Sequence, residues 1–512
     1  MKYSFRYFQL LLSIFLVSFS QFAVVSSALA KGRIKINLKN EIKNGNLLIG
    51  LKQYLGNDNK YPKNNDLLNF KTKNNLLRVI DSNGVEHKSK EISILFKSVP
   101  KEKPLILKRF VSGPFASFES AKRKSKLLEK EGYDLTIVNP DDWEIWLKNE
   151  SKDLSKNNFV LQKKIIRNNT IPVLQSEYIS RTLSGPIMIT SPENIKINNQ
   201  LYGKILYLIK DSYGTWTLIE KISFPNYLKG VLPHEMGPNS PLEALKAQAV
   251  IARTWAVFNS DRFQADNYHL CVTTQCQVYK PYKVSNQNIE KAIRDTSYQI
   301  LSFKNLPINA FYHASNGGIS AQAYESWMIE DYPYFISKSD LKKISSNTAN
   351  FSMQNRNVLI NFFNDDSEKF YGNDHKLFRW ERKVSDEMIN NMLLKTKLFD
   401  KNNNVLDLKV KDRGVSGRVI NLEIKIAGKR QVINLRRDEI RRNLKFLPSN
   451  LFIINKLNDN LWLFRGGGFG HGVGLSQSGA IDMAKSGFKY EKILNHYYTG
   501  TKLINFKNLM DE

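Results

Sequence analysis

The sequence predicts an α+β fold: a mixed, β-rich main domain with packed helices, preceded by a smaller α/β region. Three observations predict it. Apolar residues alternate at period two through residues 172–230 and again through 405–465. Stretches with helical spacing lie between and after these regions. A strand–helix–strand pattern stands nearer the N-terminus. The chain has 512 residues, too many for one ordinary core, so two or three domains are expected. Its 29 Phe and 22 Tyr supply the aromatic bulk of packed domains rather than of a disordered chain.

The first 30 residues read as a signal peptide. Lys2 and Arg6 form a basic start, an apolar run extends from Phe8 to Val25, and Ala28-Leu-Ala30 offers a small-residue cleavage site. Export to the periplasm or cell wall follows, with a membrane anchor as the alternative if cleavage does not occur. No later stretch reaches the roughly 20 apolar residues that a spanning helix needs. The formal charge of +28 suits an acidic polymer, a nucleic acid or an anionic surface. Export argues against nucleic acid and leaves the carboxylates of wall polymers.

Residues 31–170 form the expected N-terminal α/β region. Ile34-Lys-Ile-Asn-Leu and Ile92-Ser-Ile-Leu-Phe alternate like strands. Leu105–Val111 reads as a strand and Ser112-Gly-Pro-Phe as a turn. Ser117–Glu131 has helical spacing through Phe118, Ala121, Leu127 and Leu128, and Gly132 ends it before the strand Tyr133–Val138. A Gly-Pro-Phe turn leading into such a helix resembles half of a SPOR domain, a wall glycan-binding module, around residues 105–140.

Residues 171–512 form the expected main domain. Ile187-Met-Ile-Thr, Ile205-Leu-Tyr-Leu-Ile and Trp216-Thr-Leu-Ile read as hairpin strands, with a turn at Asp211-Ser-Tyr-Gly. The best-defined helix begins near Asn239-Ser-Pro-Leu-Glu. Ser240 suits its cap, Pro241 its first turn, and Glu243 a capping box. Leu245, Ala249, Ala252 and Ala256 then share one face. Glu235 lies just before it, in what reads as a loop hemmed by Pro233, Met236 and Pro238. Apolar burial there would raise its pKa, as a general acid requires.

Four segments in order carry a resemblance. They are Tyr227-Leu-Lys-Gly-Val-Leu-Pro-His-Glu-Met with Glu243-Ala-Leu-Lys-Ala-Gln-Ala-Val-Ile-Ala-Arg-Thr-Trp-Ala, then His269-Leu-Cys-Val-Thr-Thr-Gln-Cys-Gln-Val-Tyr, Ala310-Phe-Tyr-His-Ala-Ser-Asn-Gly-Gly, and Phe469-Gly-His-Gly-Val-Gly-Leu-Ser-Gln-Ser-Gly-Ala. Together they resemble the SpoIID/LytB family across roughly residues 215–505. Ser478 stands where that family usually has an aromatic residue.

The resemblance implies a peptidoglycan lytic transglycosylase with Glu235 as the catalytic acid, acting on glycan strands stripped of peptide. The same resemblance admits a non-catalytic glycan-binding protein that enhances a wall amidase. Arg253, Tyr312, His313, Ser315, His471, Ser476 and Gln477 are the substrate-binding candidates. Trp255, Tyr279 and Trp327 offer faces for stacking on sugars.

His269, Cys271 and Cys276 are weak zinc candidates. Some family members carry a second His just before the second Cys and bind zinc there, whereas this chain has Gln275. In an oxidising compartment the two cysteines, separated by four residues, can instead pair as a disulfide. No cofactor is otherwise expected. The run Gly466–Gly474 lacks the Gly-Lys-Ser/Thr ending of a phosphate loop. Its glycines are expected to let the backbone approach a sugar chain. Gly474-Leu-Ser-Gln-Ser lacks the final Gly of a nucleophile elbow, which argues against Ser476 as a nucleophile.

Overall fold

Two face-to-face sheets build the first half of the molecule. The computed structural model describes residues 34, 36–56, 67–148, 158–281, 286–343, 352–395, 400, 403–428, 430 and 432–509. The expected signal peptide lies outside them. One sheet has seven strands in the order Leu270–Cys271, Asn46–Leu55, Trp216–Ser223, Ile205–Lys210, Ile187–Thr190, Leu77–Ile80 and Glu86–Ser89. The other runs from Gln200–Tyr202 through Ile195–Ile197, Leu68–Lys71, Glu91–Phe115 and Trp143–Leu147 to Leu135–Val138. Leu55, Val79, Ile189, Leu208 and Leu218 on one sheet bury against Phe70, Ile94, Leu174 and Ile197 on the other. Alternation at period two is what lets each strand give one face to this layer.

The molecule is α+β, as its sequence pattern predicts. The boundary expected near residue 170 falls inside the strand Val160–Gln175, and strands from both sides of it share both sheets. Ile34, Ile36 and Asn37, expected in a strand, lie in none. The Asn37 side chain accepts the Asn40 N–H and starts a helix at Leu38–Lys43 instead. The expected turn at residues 112–115 is also absent, because Glu91–Phe115 continues through it and pairs with Trp143–Leu147. The helix Phe118–Lys130 does form, capped by Ser117. Phe118, Ala121 and Leu128 cover the outer face of the first sheet, while Leu127 points outward.

A second core surrounds the helix Leu242–Phe258. Every residue from Ala247 to Ala256 is buried. Its alanines admit close neighbours: the helices Phe224–Glu235, Gln287–Asp295, Gln477–Lys485 and Tyr490–Tyr497, and the strand Gln299–Phe303. The expected capping box is not made. Ser240 donates to the Met236 carbonyl at 2.6 Å, and Glu243 accepts the Tyr490 N–H at 3.0 Å, so both side chains tie this helix to other segments.

A third unit holds the three-stranded sheets Val405–Arg413, Val419–Ile426, Val432–Arg436 and Trp380–Ser385, Leu461–Gly466, Phe452–Asn458. Val419, Leu422, Ile424, Trp462 and Phe464 form its core.

Glu220 is a buried acid where the first sheet meets the second core. It accepts the Gly203 N–H at 2.6 Å and the Tyr279 hydroxyl at 2.8 Å. Desolvation pushes its pKa up to about 7. The folded pKa lies above the unfolded one, so the proton-linked stability is complete in acid and is lost as pH rises through about 7. Wild-type stability relative to Glu220→Gln is expected to fall by roughly 3 kcal/mol from pH 4 to pH 8. Denaturant titrations of both proteins at the two pH values check this, and parallel pH profiles would exclude it.

Candidate functional site

Glu235 is the last residue of a helix rather than part of a loop. Phe224–Glu235 follows directly on the strand Trp216–Ser223, with Pro225 in its first turn. Pro233 removes one hydrogen bond from the final turn, and Gly237 then takes φ +82°, ending the helix. A carboxylate at this end faces the negative pole of the helix dipole. Burial acts in the same direction and is the largest influence on its pKa, which is raised. The Val278 N–H, at 2.7 Å from Oε1, offsets part of this, as do the Tyr312 hydroxyl and the Gln477 amide that face the carboxyl.

Gly230 makes the Val278 contact possible. The segment Cys276–Lys280 crosses the helix at this position, where the Lys280 N–H donates to the Gly230 carbonyl at 3.2 Å. A Cβ on residue 230 would lie 2.7 Å from the Lys280 carbonyl oxygen and would also meet the Tyr279 ring. Crossing chain and helix therefore touch backbone to backbone, and the Val278 N–H reaches the acid.

Tyr312, His313 and His471 arrive through a two-residue parallel bridge, Tyr312–His313 against Leu475–Ser476. This pairing joins two of the sequence motifs. His313 Nδ1 lies 3.1 Å from the Val473 carbonyl, and its Nε2 is buried without a partner. His471 Nδ1 accepts the Val473 N–H at 3.1 Å. The two imidazoles lie 5.2 Å apart. Burial drives the His313 pKa well down and that of His471 down to about 3, and the charges of Arg418 and Arg441 add to both effects. Both rings are therefore neutral at physiological pH. Trp327 lies against His471 at 4.7 Å and stacks on Phe311 at 4.3 Å.

These groups line a cleft of about 540 Å³. Glu235, Tyr312, His313, Trp327, His471 and Gln477 share it with Trp255 and the loop Thr274–Cys276. Ser117, Phe118, Glu119 and Trp143 from the N-terminal region form another part of its wall, and Arg441 and Phe469 a third. The sequence offered no local mark for Glu119, Arg262 or Arg441, whereas Phe469 opens the last of the quoted motifs. Among the described residues Glu119 is the other carboxylate in the cleft, and it is bound by the buried guanidinium of Arg262.

Three substrate-binding candidates lie outside the cleft. Arg253 is buried and donates to the Gln299 carbonyl at 2.7 Å, anchoring the central helix. Ser476 caps the helix Gln477–Lys485 and accepts the Gly479 and Asn316 N–H groups at 3.3 Å, which leaves no role as a nucleophile. Ser315 is buried; its N–H and carbonyl bridge to Phe469 and its hydroxyl accepts from Gly317. Tyr279 is in the core, stacked on Tyr227, and cannot stack on a ligand.

The zinc candidates are committed elsewhere. Cys271 and Cys276 are bonded to each other. His269 is buried, with Nδ1 accepting the Leu48 N–H at 2.8 Å and Nε2 3.0 Å from the Leu38 carbonyl. Desolvation lowers its pKa to about 4. The glycines of residues 466–474 approach their own chain rather than open space. A Cβ at Gly472 would enter the Arg418 guanidinium, and one at Gly474 the Phe311 carbonyl.

Residues 212–303 match the stage II sporulation protein (SpoIID) family, and residues 321–474 match a domain of unknown function (DUF8618). Stage II sporulation protein D of Bacillus subtilis is 27% identical over 303 residues, covering 56% of this chain and 75% of that protein. Over this stretch the chain is similar to the SpoIID family. The amidase enhancer of Bacillus subtilis is 28% identical over 302 residues, which is 54% of this chain but only 40% of the enhancer's length. An uncharacterized protein of Brachyspira hyodysenteriae is 27% identical over 333 residues, covering 64% and 78%. The SpoIID match holds Glu235, the central helix and the disulfide loop. Tyr312 and His313 lie between the two matched regions, His471 lies in the second, and Gln477 follows it.

Replacing Gly230 with Ala tests the crossing. Gly230→Ala is expected to cost roughly 1–3 kcal/mol in denaturant titration, because the segment must move away from the helix. Loss of the Val278 N–H should also raise the Glu235 pKa further. An NMR titration of a 13C-labelled Glu235 carboxyl reads this second effect.

Proposed function

We propose that the protein is a peptidoglycan lytic transglycosylase acting outside the cytoplasm, with Glu235 as its single acid and base. The observation that carries this reading is the environment of Glu235. Its pKa is raised by burial, and three donors stand ready for its ionised form. The other cleft carboxylate, Glu119, is held by Arg262. Ordinary glycosidases generally place two free carboxyls around the bond.

Protonated Glu235 would give its proton to the oxygen bridging N-acetylmuramic acid and N-acetylglucosamine. The C1–O bond breaks, the leaving sugar keeps the proton as its 4-hydroxyl, and an oxocarbenium-like centre remains. The muramic 6-hydroxyl attacks C1 and passes its proton to the Glu235 carboxylate. The product is a 1,6-anhydro sugar, and Glu235 is protonated again. Val278, Tyr312 and Gln477 stabilise the ionised stage between the two transfers. The neutral histidines and Trp327 supply a water-poor wall in which these hydrogen bonds are strong. The +28 charge favours association with a polymer that carries carboxylates.

Purified protein incubated with peptide-free glycan strands should yield anhydromuramyl ends by mass spectrometry. Glu235→Gln should lower turnover by roughly 10²–10⁴-fold. Full activity in that variant would exclude the mechanism. The free enzyme must hold the proton, so kcat/KM should fall on the alkaline side as Glu235 ionises. That limb should lie above the ordinary carboxyl range.

The relative named amidase enhancer favours a second reading, a glycan-binding protein that stimulates a wall amidase. Intact glycan beside faster amidase turnover, unaffected by Glu235→Gln, would select it.

A further inference from the structure

Arg441 lies in the last turn of the short helix Asp438–Asn443 and lines the cleft that contains Glu235. The arginines around it are engaged. Arg262 is held by Glu119, Arg418 donates to the Ile319 and Asn316 carbonyls, Arg437 to that of Tyr324, and Arg442 binds Asp142. Arg441 makes no hydrogen bond or ion pair with any described residue, and its Nε is buried. Asp438, one turn earlier on the same helix, accepts the hydroxyls of Ser117 and Ser120 on Oδ2; its Oδ1 is buried without a partner, and no ion pair joins it to Arg441.

A guanidinium stays charged even when burial lowers its pKa, as it does here. Holding such a charge without a partner is costly. Among the described cleft residues, Glu119 is paired with Arg262, burial shifts Glu235 toward its neutral form, and neither forms an ion pair with Arg441. With His313 and His471 neutral, Arg441 is the one uncompensated cation among the described cleft residues.

We propose that Arg441 binds a carboxylate carried by the glycan and thereby sets which sugar ring lies beside Glu235. The proposal rests on the glycan reading above. Its planar donor fork suits a carboxylate held by two hydrogen bonds. An N-acetylglucosamine ring has no such group. An N-acetylmuramic acid ring carries a lactyl carboxylate, and a stem peptide attached there replaces it with carboxylates farther out. Pairing Arg441 with the substituent of one ring fixes the register of the strand, so the bond on the correct side of that ring meets the acid.

The test uses Glu235→Gln protein, which retains bound strands. Binding is measured for peptide-free wall strands, peptide-bearing strands and N-acetylglucosamine oligomers. Adding Arg441→Gln should weaken binding of a carboxylate-bearing strand by about 10- to 100-fold and leave the neutral oligomers unchanged. Arg441→Lys should recover part of the loss. Loss confined to peptide-free strands assigns the lactyl carboxylate, and loss confined to peptide-bearing strands assigns the stem. Removing an unpartnered charge should leave the melting temperature equal or higher. A purely structural arginine would lower it. Equal losses on charged and neutral glycans, or no loss on any, would overturn the proposal. Selective loss in a protein that never forms anhydro ends would preserve the carboxylate site and discard the transglycosylase reading.

Discussion

Close packing around the helix Leu242–Phe258 is the constraint on which the rest of the site depends. Its run of buried alanines and Val250 lets four other helices and a strand approach along one axis. The helix ending in Glu235 is one of these, and the helix beginning with Gln477 is another. The acid and its amide partner therefore take their positions from the same buried element. Larger side chains on it would separate them, because a close-packed interior has little room to yield. The polar side chains on this helix serve the same end. Arg253 and Glu243 fasten it to Gln299 and Tyr490.

The cleft also has a consistent electrostatic logic. Burial shifts His313, His471 and Glu235 toward their neutral forms. Arginine cannot escape in this way. Arg262 meets the difficulty with Glu119, a residue from the N-terminal region, and Arg441 has no such partner. A carboxyl shifted toward its neutral form and a charged Arg441 thus share one poorly hydrated space, which is where small differences in ligand charge have the largest effect.

Much of this was legible in the sequence, and what was missed has physical causes. The hairpin strands and the central helix could be read because period two and period 3.6 are local properties. Glu235 stood out by its motif, but Pro233 reads as a helix breaker, so its place at a helix end was hidden. The Ser117 cap was readable, whereas the Ser240 cap failed because its hydroxyl found the Met236 carbonyl. Ser315 and Ser476 look like binding groups in sequence, but their hydroxyls close backbone turns. Arg441 had no mark at all. In a chain with 76 Lys and Arg, what distinguishes one arginine is the absence of a partner, and only tertiary structure reveals an absence.

The bridge that pairs Tyr312–His313 with Leu475–Ser476 has a temporal meaning. It joins segments far apart in the chain, and such contacts close late because the intervening loop must be ordered first. A growing chain holds Glu235 well before it holds Gln477. Until the last helices are made, the acid has neither its amide neighbour nor the tyrosine held in place. The cleft thus stays without its last wall through most of the molecule's own synthesis.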